Sequence, residues 1–411
     1  MKILYVVHRY GEEVVGGAET ACRMFAERLV KRGHDVEVLT SCAVSYVDWA
    51  DFYEPGVSVL DGVRVNRRGV IRPRDPRRFA EIHSEMMENP RLASVQKQLE
   101  WLDEMGPIIH DQATSLRSFS QTVDVVVFMT YLYPTTAYGI PVLAGRVPIV
   151  IQPTAHDEPP AYVPLYRSAF QGVDAALYLT EEEVRVADRV LGIHVPSVVT
   201  GIGIDLEAAP PNSSDVEEFR SRVGLGTDPY LVYVGRVDVF KGVAELMRFF
   251  VEFKGRNPSS LKLVLVGEQF MELPDVEDIR HVGFLDEESK AAAISGSVAL
   301  VQPSPYESFS IVICEAWREK KPVLVQGHSE VLSGQCRRSE GGLPYTGFAE
   351  FEACLNRFLA DPSLAREFGE NGFEYVSENY GWDRVLDNFE KGLVLACKHY
   401  SSRKEVGARI T

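Results

Sequence analysis

Two glutamates with seven residues between them, Glu307 and Glu315, are the first residues in this sequence whose types and spacing suggest chemistry. They lie in the stretch VALVQPSPYESFSIVICEAWREKKPVLV, residues 298–325. The apolar run Val298–Val301 reads as a buried parallel strand and Val323–Val325 as a second. Between them the spacing predicts a helix over about Ser308–Glu319. In such a unit the helix N-terminus lies at the carboxyl edge of the sheet, where open α/β sheets bind ligands. Its first N–H groups lack internal partners and its dipole is positive there, which suits phosphate oxygens. Ser304, Ser308 and Ser310 add hydroxyls small enough to let an anion approach the backbone. Ser308 and Glu315 fall within about 20° on one helix stripe, with Glu315 about 10 Å further along. A carboxylate there accepts from two vicinal hydroxyls, as a ribose offers. One helix would then hold the diphosphate and the sugar of one nucleotide. The same residues also suit an ordinary α/β core unit with two surface glutamates.

The run Glu307-Ser-Phe-Ser-Ile-Val-Ile-Cys-Glu315, with Pro303-Ser304 before it and Lys321-Pro322-Val323 after it, resembles a family motif. It is the Glu-x7-Glu motif of retaining nucleotide-sugar glycosyltransferases with the GT-B architecture, specifically glycosyltransferase family four. Ser310 departs from it, since the family commonly has glycine there. Further matches fall in the family's order. Tyr230–Val234 reads as a strand, followed by Gly235-Arg236 and then Lys241-Gly242. Arg236 reaches a diphosphate by a planar fork and Lys241 as a point charge, although both also suit solvated loop positions. Near the start, Gly16-Gly17 turns a strand (residues 2–7) into an amphipathic helix ending at Lys31, with Gly33 placed to cap it. A tight βα turn explains the pair by geometry alone; the resemblance sets it beside the donor phosphates and the reacting sugar.

After a strand at Pro148–Gln152 comes Pro153-Thr-Ala-His156-Asp157-Glu158-Pro-Pro. A capped turn accounts for this cluster. A metal site would require adjacent side chains to converge on one ion, which they rarely do. The resemblance places His156 beside the donor sugar. It also implies a donor site built from Gly235, Gly267, Val282, Ser304, Ser308, Phe309, Ser310, Ile311 and Glu315, with catalytic work for His156, Glu307, Arg236 and Lys241. No metal and no other cofactor are expected, because the two cations do a magnesium ion's work on the diphosphate.

The elements that must position these groups are those of two domains. A chain of 411 residues exceeds the usual limit of a single core. Strands at residues 2–7, 35–39, 124–129, 148–152 and 174–179 alternate with helices, the signature of right-handed βαβ crossovers in a parallel sheet. Residues 63–121 look irregular and largely helical, an elaboration on the acceptor side. Residues 196–230 read as the passage between domains, with Val198-Val-Thr-Gly201-Ile-Gly203-Ile-Asp205 matching the family's entry into its second domain. Further strands are expected at 261–267 and 280–285, and helices at 287–295, 348–360 and 363–377. The helix from Trp382 resembles the GT-B tail that packs back on the first domain. The expected fold is therefore α/β and GT-B-like. Two doubly wound, Rossmann-like domains, residues 1–200 with 382–411 and residues 201–381, would face each other across a cleft.

Net charge of −16 argues against a general nucleic-acid binder. Six scattered cysteines without a Cys-x-x-Cys pair argue against disulfide or zinc frameworks. No apolar run approaches the ~18 residues of a membrane span, and the first residues read as a strand, so the chain is expected in the cytosol. Seven arginines (Arg64, Arg67, Arg68, Arg72, Arg74, Arg77, Arg78) crowd one stretch of an acidic chain. They suit a solvated loop paired with carboxylates, or a patch facing an anionic acceptor or a membrane's inner face. The expected reaction is sugar transfer from a nucleoside diphosphate to a hydroxyl acceptor, glycan or lipid-linked, in surface-glycan or glycolipid synthesis. A sugar-nucleotide epimerase or a non-catalytic carbohydrate-binding protein are the alternatives with this fold.

Overall fold

The computed structural model describes residues 1–410, with side-chain surroundings through residue 405. The chain forms two compact units, one of residues 1–201 with the segment from Val385 onward, the other Ile202–Arg384.

The first unit is built on an eight-stranded sheet. Its strands are β1 (Lys2–Val6), β2 (Asp35–Ser41), β3 (Gly56–Leu60), β4 (Val63–Arg68), β5 (Val125–Met129), β6 (Ile149–Gln152), β7 (Ala175–Tyr178) and β8 (Ser197–Val199), in the order β3-β4-β2-β1-β5-β6-β7-β8. All neighbours are parallel except β3 and β4. The central strands β1 and β5 read as near-continuous apolar runs because both faces are covered. The expectation of largely helical structure over 63–121 holds from Pro76 on, through the helices Pro76–Glu88, Val95–Met105 and Gln112–Phe119, and is corrected only at its start. Residues 56–68 form a hairpin on the sheet edge, with Asp61 and Gly62 at positive φ in its two-residue turn, and helices follow only from Pro76. The exposed Val57 and Val59 hid this strand, since an edge strand need not alternate toward a core.

The arginines do not form one patch. Arg67 is buried and donates to Ser58 Oγ (2.6 Å) and the Tyr10 carbonyl (3.0 Å). Arg74 donates to the Tyr46 and Met105 carbonyls and lies over the rings of Trp49 and Phe79. Arg64 pairs with Asp35 and Glu37, while Arg72 and Arg78 pair with Glu104. Arg67 is thus taken into the unit, while Arg64, Arg72, Arg77 and Arg78 stay exposed at its surface, three of them paired with carboxylates.

The second unit carries a six-stranded, all-parallel sheet. Its strands are β9 (Tyr230–Val234), β10 (Lys262–Val266), β11 (Ile279–His281), β12 (Ala299–Gln302), β13 (Val323–Gln326) and β14 (Gly342–Tyr345), in the order β11-β10-β9-β12-β13-β14. Two elements were unforeseen here, the helix Glu330–Ser339 and β14 after it. The stretch 196–230 also holds more than a passage. Beyond β8 it forms a helix at Ser213–Val223, opened by a capping box between Asn212 and Asp215. The last helix runs Trp382–Ile410, and from Val385 on it belongs to the first unit. It is fastened there by Arg32–Asp387 (2.6 Å), His34–Glu390 (2.9 Å) and Arg403–Asp174 (2.7 Å).

Candidate active site

In the second unit, four strand ends meet backbone to backbone. Gly267, at φ 133°, would place a Cβ 2.0 Å from the Gly235 carbonyl, and Gly242, at φ 75°, a Cβ 2.2 Å from that of Pro303. No other residue fits either place. This contact draws the loop after β9 onto those after β10 and β12. Tyr233 steadies the first by donating from its hydroxyl to the Arg236 carbonyl at 2.7 Å. Val282 is fixed by its N–H to the Leu265 carbonyl at 3.0 Å, and His281 Nε2 meets the Gly267 carbonyl at 2.8 Å.

The structure brings Lys241 and Glu307 together. Lys241 Nζ lies 2.9 Å from Glu307 Oε1, joining the end of the loop after β9 to the loop after β12. Arg236 lies on the same loop as Lys241, its guanidinium 5.9 Å from the Phe270 ring centroid.

The expected helix over Ser308–Glu319 is shorter, Ile311–Arg318. Ser310 precedes it at φ 71°, in the left-handed region, so the chain cannot be helical before Ile311. Ser308 is therefore not on a stripe with Glu315, which sits one turn into the helix rather than two. The serines also divide in role. Ser304 is fully buried and donates to the Tyr306 carbonyl at 3.1 Å, so it shapes the loop and lines no surface. Ser310 Oγ accepts from Gln302 Nε2 at 3.2 Å. Phe309 packs its ring edge-on against Tyr380 at 4.9 Å and gives its carbonyl to Gln335, which makes it core. Ser308 and Ile311 are half-buried at the helix entry.

Glu315 carries a partner that sequence reasoning missed. Lys290, on the helix Glu287–Ser295, sets its Nζ 2.8 Å from Glu315 Oε1 and also pairs with Glu287. Burial works against the Lys290 ammonium, but the two carboxylates outweigh it and hold its pKa above the ordinary lysine value. The other oxygen, Glu315 Oε2, is buried with no hydrogen-bond partner among the described residues.

In the first unit, Gly16 and Gly17 sit over a buried ion network. A Cβ on Gly16 would meet the Glu19 carboxylate at 2.3 Å, whereas one on Gly17 would meet nothing within 4 Å. Glu19 bonds His8 Nε2 (2.8 Å) and the Arg9 guanidinium. Burial would raise the Glu19 carboxyl, but His8 and Arg9 prevail and bring it to about 2. Burial also lowers His8, and Glu19 only partly offsets this. The His8 ring is stacked on Tyr133 at 3.8 Å. No spacing rule marked His8 or Arg9, because the contact forms across a turn.

His156 follows β6, with Nδ1 3.3 Å from Glu158 Oε1. Asp157 turns instead to the Tyr162 hydroxyl (2.5 Å) and Arg189 (2.6 Å). The three adjacent side chains thus do not converge. Among the described residues no group of three or more His, Cys, Asp or Glu side chains is placed to hold a metal ion.

Against known sequences, residues 16–200 match the model of the glycosyl transferase 4-like domain, and residues 215–375 that of glycosyl transferases group 1. The chain belongs to the GT-B glycosyltransferases. An uncharacterized glycosyltransferase of Methanocaldococcus jannaschii is 24% identical over 401 residues, covering 94% of this chain and 96% of the relative. Among solved structures, sucrose-phosphate synthase of Thermosynechococcus elongatus superposes with a TM-score of 0.69 at 18% identity, covering 100% of both chains. HepE of Anabaena, in complex with UDP and glucose, gives 0.70 at 14% identity, covering 96% of this glycosyltransferase and 99% of its own chain. No helix among the described residues is long and apolar enough to cross a membrane.

Proposed function

We propose that this glycosyltransferase moves a sugar from a nucleoside-diphosphate donor to a hydroxyl acceptor with retention at the anomeric carbon. The observation that carries the reading is the state of Glu315. One of its oxygens is held by Lys290 while the other is buried without a partner, at the strand edge that also presents Lys241, Arg236 and Glu307. A buried carboxylate oxygen left unsatisfied costs about 1–3 kcal/mol, and a ribose hydroxyl would recover it. In this reading the second unit takes the nucleotide, with Glu315 on the ribose and Arg236 and Lys241 on the diphosphate. As the glycosidic bond breaks, charge gathers on the leaving diphosphate and the two cations stabilise it, an electrostatic form of catalysis. Glu307, fixed by Lys241, orients donor-sugar hydroxyls. On the first unit, Gly16, Gly17 and His156 serve the reacting sugar, and the acceptor is a glycan or lipid-linked hydroxyl compound. The two cations take the place of a divalent ion, so chelation leaves turnover unchanged.

The similarly folded HepE of Anabaena, solved in complex with UDP and with UDP-glucose, makes UDP the first probe. Thermal unfolding with UDP, GDP and ADP should show a selective rise for one of them, since ligand at 100 times its dissociation constant adds about 2.7 kcal/mol. No rise with any of the three would remove the donor assignment. Proton NMR of the product's anomeric signal decides retention, and an inverted product would overturn it.

A further inference from the structure

The loop that carries His156 is held from two sides. After β6 the chain turns through Thr154 at φ 47°, in the left-handed region. That conformation is unfavourable for a β-branched residue and persists where the surroundings over-determine it. Glu183 supplies the constraint on the backbone. Fully buried, it accepts the Ala155 N–H at 2.8 Å on one oxygen and the Leu179 N–H at 2.6 Å on the other. It thereby ties the loop after β6 to the loop after β7. Glu158 acts on the imidazole. Its Oε1 receives the hydroxyl of Tyr131 at 2.7 Å and lies 3.3 Å from His156 Nδ1. Tyr131 is buried and follows β5 by two residues, so three neighbouring strand ends converge on the loop that carries His156.

We propose that Glu158, anchored by Tyr131, is a positioning residue that draws the proton of the neutral His156 ring to Nδ1 and fixes the ring's orientation. A neutral imidazole has one donor and one acceptor nitrogen. A carboxylate that accepts from Nδ1 leaves the lone pair on Nε2, the logic by which a partner at one ring nitrogen sets the other. Burial pushes the Glu158 carboxyl up, but His156 and Tyr131 outweigh this and keep it below the usual glutamate value, so the acceptor stays ionised. The inference rests on His156 serving the reacting sugar, where an Nε2 lone pair accepts from a hydroxyl.

The test uses the full chain with 15N-labelled histidine, at a pH above the ring's titration. In the unmodified protein, 15N shifts should show His156 predominantly as the Nδ1–H tautomer. Glu158→Gln should give a mixture and lower kcat up to about 100-fold, the cost of a misplaced group, with donor dissociation constant unchanged. Tyr131→Phe should move both readings part of the way, and it serves alone if Glu158→Gln fails to fold. Glu158→Asp should restore part of the tautomer bias. An unchanged Nδ1–H population in Glu158→Gln and Tyr131→Phe overturns the proposal. So does unchanged kcat in both variants when His156→Ala abolishes transfer. If His156→Ala leaves transfer intact, the role given to His156 fails instead, and the tautomer measurement still decides the positioning.

Discussion

Lys290 and Glu315 show how much a single buried pair decides. Their side chains are only 15% and 11% exposed, so solvent screens them little. In its proposed role, Glu315 is a charge-assisted acceptor for the ribose worth about 1.5–3 kcal/mol, so Glu315→Gln should weaken nucleotide binding about 10- to 150-fold in calorimetry. Unchanged affinity would take Glu315 out of the ribose role. Lys290→Met should cost stability as well, because it strands the carboxylate; breaking a fully buried pair costs about 3–5 kcal/mol, and about 2–4 is expected here. Adding Glu315→Leu to Lys290→Met should recover most of that loss in urea unfolding. A double variant as unstable as Lys290→Met alone would mean that packing, not the stranded charge, sets the cost. Ser310 poses the opposite case, in which terms cancel. Relief of its left-handed φ in Ser310→Gly returns about 1–2 kcal/mol. Loss of the bond from Gln302 costs about 1, and the freer unfolded glycine about 0.5–1 more. The melting temperature should stay within about 2 °C. A fall of several degrees would show that the Gln302 bond dominates.

At the scale of elements, what the sequence revealed depended on how far each cause lay along the chain. The central strands, the helix Gly17–Lys31 and the βα turns around Gly235, Arg236 and Lys241 follow from local apolar runs and glycines. The start of the helix at Ile311 turned on one backbone angle at Ser310, which serine does not advertise. The hairpin β3–β4 hid because its outer strand is exposed, and Lys290 because its partner lies 25 residues away. Glu183 had a local signal, as Thr180-x-x-Glu183 fits a capping box. Thr180 does cap the Glu183 N–H, yet the carboxylate reaches Ala155 and Leu179 instead. Two glycines separate packing from function. In the last helix, a Cβ on Gly392 would lie 2.1 Å from Leu177 Cδ2, in the core of the first unit. Gly392→Val should lose about 1–3 kcal/mol to overpacking, more than the few tenths that valine's helix propensity over glycine returns. Gly17, where a Cβ meets nothing, should accept alanine with stability within about 0.5 kcal/mol. Gly17→Ala should nevertheless lower turnover if a ligand approaches that backbone. Full turnover in Gly17→Ala would return the Gly16-Gly17 pair to a turn and nothing more.

For the whole chain, two carboxylates buried under opposite conditions, Glu19 and Glu183, make stability depend on pH in opposite senses. Glu19 has cationic Arg9 and the His8 N–H beside it, and its carboxyl is brought down to about 2. A depressed carboxyl adds stability that is fully present above the unfolded value of about 4.3 and is lost as pH falls through the folded one. Glu183 is the reverse. Burial is the largest influence and raises it to about 7, with the N–H groups of Leu179 and Ala155 and the nearby His156 opposing. Tyr178 also faces it from β7 but is neutral over this range, its own pKa raised by burial first and Glu183 second. The raised carboxyl costs nothing below about pH 4, where it is protonated in both states. Its cost grows as pH rises and is complete once pH passes the folded value near 7. Comparing each chain with its Gln variant isolates these two contributions from the other titrating groups. The stability of Glu183→Gln relative to the unmodified chain should climb by about 3 kcal/mol between pH 4.5 and 7, at up to about 1.36 kcal/mol per pH unit, and then level off. For Glu19→Gln the difference should be constant above about pH 5 and shrink toward pH 2. Urea unfolding at half-unit steps of pH measures both curves. A Glu183 difference that stays flat from pH 4.5 to 7 would mean the carboxyl titrates normally, and that the N–H groups of Leu179 and Ala155 together with His156 outweigh its burial.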